Sequence, residues 1–165
     1  MLIYPKVKAE NCIFVEQYIN TQYIDDNSVT LFNTPTVDKG MILNGTTQYA
    51  ALADEYKYSF GNGYVDVPFS VEAEVVMTDA TSFTILSKGV YNTDDEWRLA
   101  TGADDKIYWQ LFDESVADCY IGRAYSVPLT ANEGQKLHIV ATYDGSGTSA
   151  GCKIYINGVP VDDTD

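Results

Sequence analysis

The sequence predicts an all-β chain, a two-sheet antiparallel jelly-roll sandwich with an N-terminal extension. Three observations point there. Short runs with apolar residues at every second position recur from Met41 onward, the period of a pleated strand with one buried face. Connections rich in Asp, Asn, Gly and Thr separate these runs, as antiparallel turns require. Helical periodicity is almost absent, which excludes architectures that alternate strands with helices.

Residues 1–39 read as an N-terminal extension, either an arm or a contributor of the first strand of the sandwich. Cys12 to Tyr18 and Val29 to Phe32 are short apolar runs separated by the polar cluster Ile24-Asp25-Asp26-Asn27-Ser28. That pattern predicts one or two strands joined by loops, with a short helix over Val15 to Asn20 as the alternative. The boundary falls at Thr34 to Gly40, where proline and glycine flank a polar connection. Residues 40–165 then form the sandwich. Met41 to Asn44 and Gln48 to Leu52 are expected to make a hairpin around Gly45. Asn44-Gly45-Thr46 matches an N-glycosylation acceptor, but the turn reading is preferred. Ala53 to Tyr58 suggests a short helical turn, and Phe60 to Gly63 a loop.

The clearest strand runs from Phe69 to Met77, with Phe69, Val71, Ala73, Val75 and Met77 facing a core and Ser70, Glu72 and Glu74 facing away. Strands follow at Phe83 to Ser87, Glu96 to Thr101, Lys106 to Phe112 and Asp118 to Ala124. Between Leu137 and Thr142 the alternation puts Leu137, Ile139 and Ala141 on one face and His138, Val140 and Thr142 on the other. Cys152 to Ile156 meets Asn157-Gly158, a dipeptide that tolerates the positive φ angles of a two-residue turn, and Val159 to Val161 returns.

Composition bounds the function. A chain of 165 residues holds one β-domain with a real core and is too short for two. Apolar residues make up 45% and aromatics 13%, which fits a folded, strand-rich protein and argues against disorder. The net charge of -14 comes from acids scattered along the whole chain. Such a surface repels phosphate backbones and anionic lipid, so neither a nucleic-acid partner nor membrane insertion is expected. Cys12, Cys119 and Cys152 show no metal-ligand spacing, and a single disulfide among them is allowed but not identifiable. The opening MLIYPKVKAENC lacks the apolar run of a signal peptide, which predicts synthesis in a cytoplasm, with release by lysis compatible.

The strand from His138 through Ile139-Val140-Ala141-Thr142-Tyr143 to Asp144-Gly145, the small-residue loop after it and Lys153-Ile154-Tyr155-Ile156-Asn157-Gly158-Val159-Pro160-Val161 resemble the late strands of laminin-G-like domains in the concanavalin A-like lectin/glucanase superfamily. Ile42 to Thr46 with Tyr49 resembles the opening hairpin, Phe69 to Val75 the long strand after it, and Ile85 to Gly89 with Glu96 to Leu99 the middle of the domain. The resemblance covers roughly residue 40 to the end and implies a concanavalin A-like fold, which serves many functions. Laminin-G-like domains continue past the Asn-Gly hairpin with further strands, whereas this sequence stops at Asp165. The extension, another chain or a longer sequence would supply them, and an open sheet edge is a template for pairing.

Candidate chemistry follows from residue types. The resemblance to glucanases points to their Glu-x-Asp-x-x-Glu pattern, whose nearest match, Glu72 to Met77, lacks the third acid; glycoside hydrolysis needs its full set of carboxyl groups. His138 is the single histidine, without a serine-elbow motif, and is expected to pack or face solvent. Calcium is the cofactor expected, because it takes oxygen ligands from loops; the resemblance places it at the rim, with Asp94, Asp95, Asp104, Asp105 and Asp144 as candidate ligands, although these are also ordinary turn residues. Sugar binding uses aromatic faces and planar polar side chains. On Lys106 to Phe112, Ile107, Trp109 and Leu111 share the core face, so Tyr108 and Gln110 face out beside Arg98 of the neighbouring strand.

Two functions are held against each other, neither enzymatic. One is a structural and adhesive protein at the surface of a virus particle, a bacteriophage capsid decoration or tail-associated protein, whose lectin-like domain attaches to surfaces or glycans. Its partners would be other copies of itself, other virion proteins and cell-surface glycans. The other is an extracellular carbohydrate-binding module of a secreted or multidomain protein. A glucanase-like hydrolase is a third reading that lacks its acids.

Overall fold

The structure, a computed structural model, describes residues 29–37, 40–54, 58–61, 64–89, 95–113 and 119–165. Among them the strands are β1 (Val29–Phe32), β2 (Thr36–Val37), β3 (Met41–Ile42), β4 (Tyr49–Leu52), β5 (Phe69–Val76), β6 (Thr84–Lys88), β7 (Trp97–Thr101), β8 (Ile107–Phe112), β9 (Tyr120–Ala124), β10 (Lys136–Tyr143), β11 (Cys152–Ile156) and β12 (Val159–Pro160). The expected run at Cys12 to Tyr18 and its helical alternative lie outside the described residues. So do residues 55–57 of the turn expected at Ala53 to Tyr58.

Two four-stranded antiparallel sheets face each other. One has the order β12-β11-β10-β5 and the other β6-β7-β8-β9, so the second is an uninterrupted meander, while β5 joins the first across a long crossover. The buried face of β10 alternates as its sequence requires, with Leu137, Ile139, Ala141 and Tyr143 buried. Opposite them β8 sends Ile107 and Trp109 into the same core. Phe69 packs edge-on against Trp109 at 5.4 Å between centroids, and Trp109 Nε1 donates to the Thr142 carbonyl at 3.1 Å. The indole therefore joins the two sheets by both packing and a hydrogen bond.

The opening hairpin departs from its expected pairing. Met41–Ile42 pairs with Thr36–Val37, and Tyr49–Leu52 pairs with Val29–Phe32, so the two runs either side of Gly45 are not partners. The reason lies in Asn44. Its Oδ1 accepts the backbone N–H groups of Thr46, Thr47 and Gln48, and its Nδ2 donates to Thr47 Oγ1. A side chain so engaged closes a compact loop of its own, which turns the chain away from a two-residue hairpin.

Beyond Asn157-Gly158, both at positive φ, the chain crosses from β12 to the other sheet. Thr164 forms an antiparallel bridge with Ala124, and Asp163 accepts from the Ser126 hydroxyl and backbone N–H, each at 2.7 Å. Arg123 pairs with Asp165 and donates to the Asp162 carbonyl at 2.6 Å. This segment fastens β9 to the sheet that holds β12.

Gly122 fixes how closely β8 and β9 approach. A Cβ there would fall well inside contact distance of the Trp109 carbonyl oxygen, a backbone atom that no side-chain rotation can move. Gly122→Ala is expected to destabilise the domain by about 1–3 kcal/mol, the usual cost of overpacking, read as a lower urea midpoint. An unchanged midpoint would show that the strands have room to part.

Candidate functional site

The outward face of the β6-β7-β8-β9 sheet gathers the residues expected to bind sugar. With Ile107 and Trp109 buried, alternation turns Tyr108, Gln110 and Phe112 to the other side of β8. Register then fixes their neighbours. Arg98 on β7 and Gly122 on β9 lie opposite Gln110, Ala100 and Ala124 flank Tyr108, and Tyr120 lies opposite Phe112. The four strands together contain no Asp or Glu, although the chain has 24 acidic residues. Their outward positions thus form a neutral to weakly basic strip on an acidic protein.

Contacts within the strip hold its side chains in place. Arg98 Nη2 donates to Gln110 Oε1 at 2.7 Å, and its guanidinium carbon lies 5.6 Å from the centroid of the Phe112 ring, within cation–π range. Arginine has only donors, so it orients the Gln110 amide with oxygen toward itself and leaves Nε2 to donate elsewhere. Phe112 and Tyr120 have centroids 5.7 Å apart, and Tyr120 is 55% exposed, so a broad aromatic surface meets solvent at that end.

Tyr108 is fixed at the opposite end. Its hydroxyl donates to Asp104 Oδ2 at 2.9 Å, and its ring lies against Gly102, where an added Cβ would come within 2.9 Å of Tyr108 Cε2. Burial, the Asp104 carboxylate and Tyr120 all push the Tyr108 phenol up, so it stays a neutral donor. Burial opposes the charge on Asp104, but hydrogen bonds from Tyr108 and Lys106 outweigh it and hold that carboxyl below the usual range.

The structure brings Arg98, Tyr108 and Gln110 onto one face. Tyr120 and Gly102 were not legible as parts of the site, because only cross-strand register places Tyr120 beside Phe112 and only the β7–β8 turn brings Gly102 under the Tyr108 ring.

The described aspartates among those expected to hold calcium are spread over the sandwich. Asp144 follows β10 at the Phe69–Tyr143 end of the sandwich, where its Oδ1 accepts the Ser146 N–H at 2.9 Å. Asp105 lies at the other end and accepts from Thr81 Oγ1 at 2.8 Å and Thr130 Oγ1 at 2.5 Å. Asp104 bonds Tyr108 and Lys106, Asp95 is buried, and Asp94 lies outside the described residues. Among the described residues no three His, Cys, Asp or Glu side chains gather around one point.

Glu72 and Glu74 face outward from β5 in the other sheet. His138 Nε2 lies 2.6 Å from Glu72 Oε1, and Lys136 Nζ donates to Glu74 Oε2 at 3.2 Å. Met77, which stands where glucanases place their third acid, is 1% exposed and belongs to the core.

No curated protein and no solved structure matches the chain. A family model of the laminin G type, described as the concanavalin A-like lectin/glucanases superfamily, matches residues 44–165. That span takes in both four-stranded sheets, their crossover and the strip around Gln110. Sheet order, core and match agree, and the chain belongs to the concanavalin A-like lectin/glucanases superfamily.

Proposed function

We propose that the chain is a non-enzymatic carbohydrate-binding module that takes a glycan on the outward face of β7, β8 and β9. The observation behind this reading is the juxtaposition, by strand register, of Arg98 with Gln110 between Tyr108 at one end and Phe112 with Tyr120 at the other. Aromatic faces suit the apolar side of a pyranose, and a fixed amide suits its hydroxyls. The ordering cost of binding is low where side chains are already held.

Screening against immobilised glycans, followed by calorimetry on any that bind, tests it. Tyr108→Ala and Gln110→Ala are each expected to weaken binding about tenfold, equivalent to about 1.4 kcal/mol, with an unchanged circular-dichroism spectrum. The bound glycan is expected to be recovered without new reducing ends. Binding that survives both substitutions would place the site elsewhere, and release of reducing ends would overturn the non-enzymatic reading.

A further inference from the structure

Resting on the reading of this face as a glycan site, we infer that its ligand is a linear oligosaccharide laid along β8, of about three sugar units given the strand rise, and not a single terminal sugar. The partly exposed side chains on the outward face of β8 run the length of the strand. Tyr108, Gln110 and Phe112 stand at alternate positions of one strand, and at about 3.4 Å per residue the backbone from Tyr108 to Phe112 covers roughly 14 Å. One pyranose ring does not cover that length.

The order of chemistry along the strip follows the same direction. An aromatic ring stands at each end, Tyr108 at one and Phe112 with Tyr120 at the other, while the middle offers the Gln110 amide, oriented by Arg98. Rings at the ends and a hydrogen-bonding group between them match a chain whose outer sugars stack while the central one presents hydroxyls.

The cross-strand neighbours leave the path level. Ala100 and Ala124 flank Tyr108, and Gly122 lies opposite Gln110. On β9 these neighbours are short, and on β7 Ala100 is short while Arg98 is tied to Gln110, so the described strands beside β8 do not enclose a terminal sugar as an end-recognising pocket does. Gly122 can have no Cβ without displacing β8, so the level path is built into the strand spacing.

The test is a calorimetric titration of the full chain with size series, from monosaccharide to hexasaccharide, of β-1,4-glucan, β-1,3-glucan and β-1,4-mannan. Affinity for the series that binds is expected to climb steeply up to the trisaccharide and to level off beyond it. Tyr108→Ala and Tyr120→Ala, substitutions at opposite ends, are each expected to lower trisaccharide affinity about tenfold, with the double variant close to monosaccharide affinity. A monosaccharide that binds as tightly as the trisaccharide, or a length dependence untouched by both substitutions, overturns the inference while leaving glycan binding intact. Absence of binding to every series and every immobilised glycan overturns the underlying glycan reading, and this inference with it.

Discussion

Trp109→Ala is expected to cost about 3–5 kcal/mol, the range for deleting a large buried aromatic. A domain of this kind has about 5–15 kcal/mol in all, so the variant should unfold at a far lower urea concentration. Trp109 is fully buried and lies within aromatic contact of Phe69 and Trp97, with centroids at 5.4 Å and 6.0 Å. Removing it opens a cavity between the sheets and deletes the donor to the Thr142 carbonyl. Trp109→Phe is the milder variant, since it loses the N–H and the five-membered part of the indole but keeps a six-membered ring in the core. It should cost about 1 kcal/mol for the lost bond plus a smaller packing penalty. Urea titrations followed by circular dichroism measure both, and an alanine variant within 1 kcal/mol of the parent would mean that the sheets are held chiefly by other contacts.

The second large effect belongs to Asp162. Its side chain is 8% exposed, accepts from Lys153 Nζ at 3.1 Å and lies 3.9 Å from Arg123 Nε. It also accepts the Ile154 N–H at 3.3 Å. Truncation to alanine strips a nearly buried carboxylate from two cations, a change that costs about 3–5 kcal/mol when both partners are buried. Lys153 is 43% exposed and Arg123 19%, so water recovers part of that, and about 2–3 kcal/mol is expected for Asp162→Ala. Asp162→Asn should lose less, because an amide oxygen still accepts from Ile154. A double-mutant cycle with Lys153→Met isolates the Lys153 share; a cycle with no coupling would reduce the Lys153 contact to mere proximity.

Most strands of the two large sheets were legible because their burial is one-sided. Alternation along Phe69–Val76 and Lys136–Tyr143 records which face meets the core, and the structure buries those residues. Alternation says nothing about partners. Periodicity marks Met41–Ile42 and Tyr49–Leu52 as strands but pairs them with each other, because the four hydrogen bonds that the Asn44 side chain makes with residues 46–48 are invisible to it. The same limit applies at the site. Tyr108 and Gln110 could be read as neighbours along one strand, whereas Tyr120 joins them only through the pairing of β8 with β9. The hydrogen-bond partners of Asp104 and Asp105 are likewise hidden from the sequence. Two adjacent acids in a turn are bonded to different partners, Asp104 to Tyr108 and Lys106 and Asp105 to Thr81 and Thr130.

The crossover has a consequence for how the chain acquires its shape during synthesis. β5 pairs with β10 over eight residues, from Phe69 opposite Tyr143 to Val76 opposite Lys136, and the whole meander β6 to β9 is made between them. That meander needs only hairpin contacts, which close early because they are local, whereas β5 waits for a distant partner. Until β10 to β12 emerge, the core face of the meander, including Trp109, has no sheet to cover it. The bridge between Ala124 and Thr164 forms later still. Folding of this domain is therefore expected to be completed after synthesis of these strands and not stepwise along the growing chain, with a slow, collective final phase in which the second sheet closes over the first.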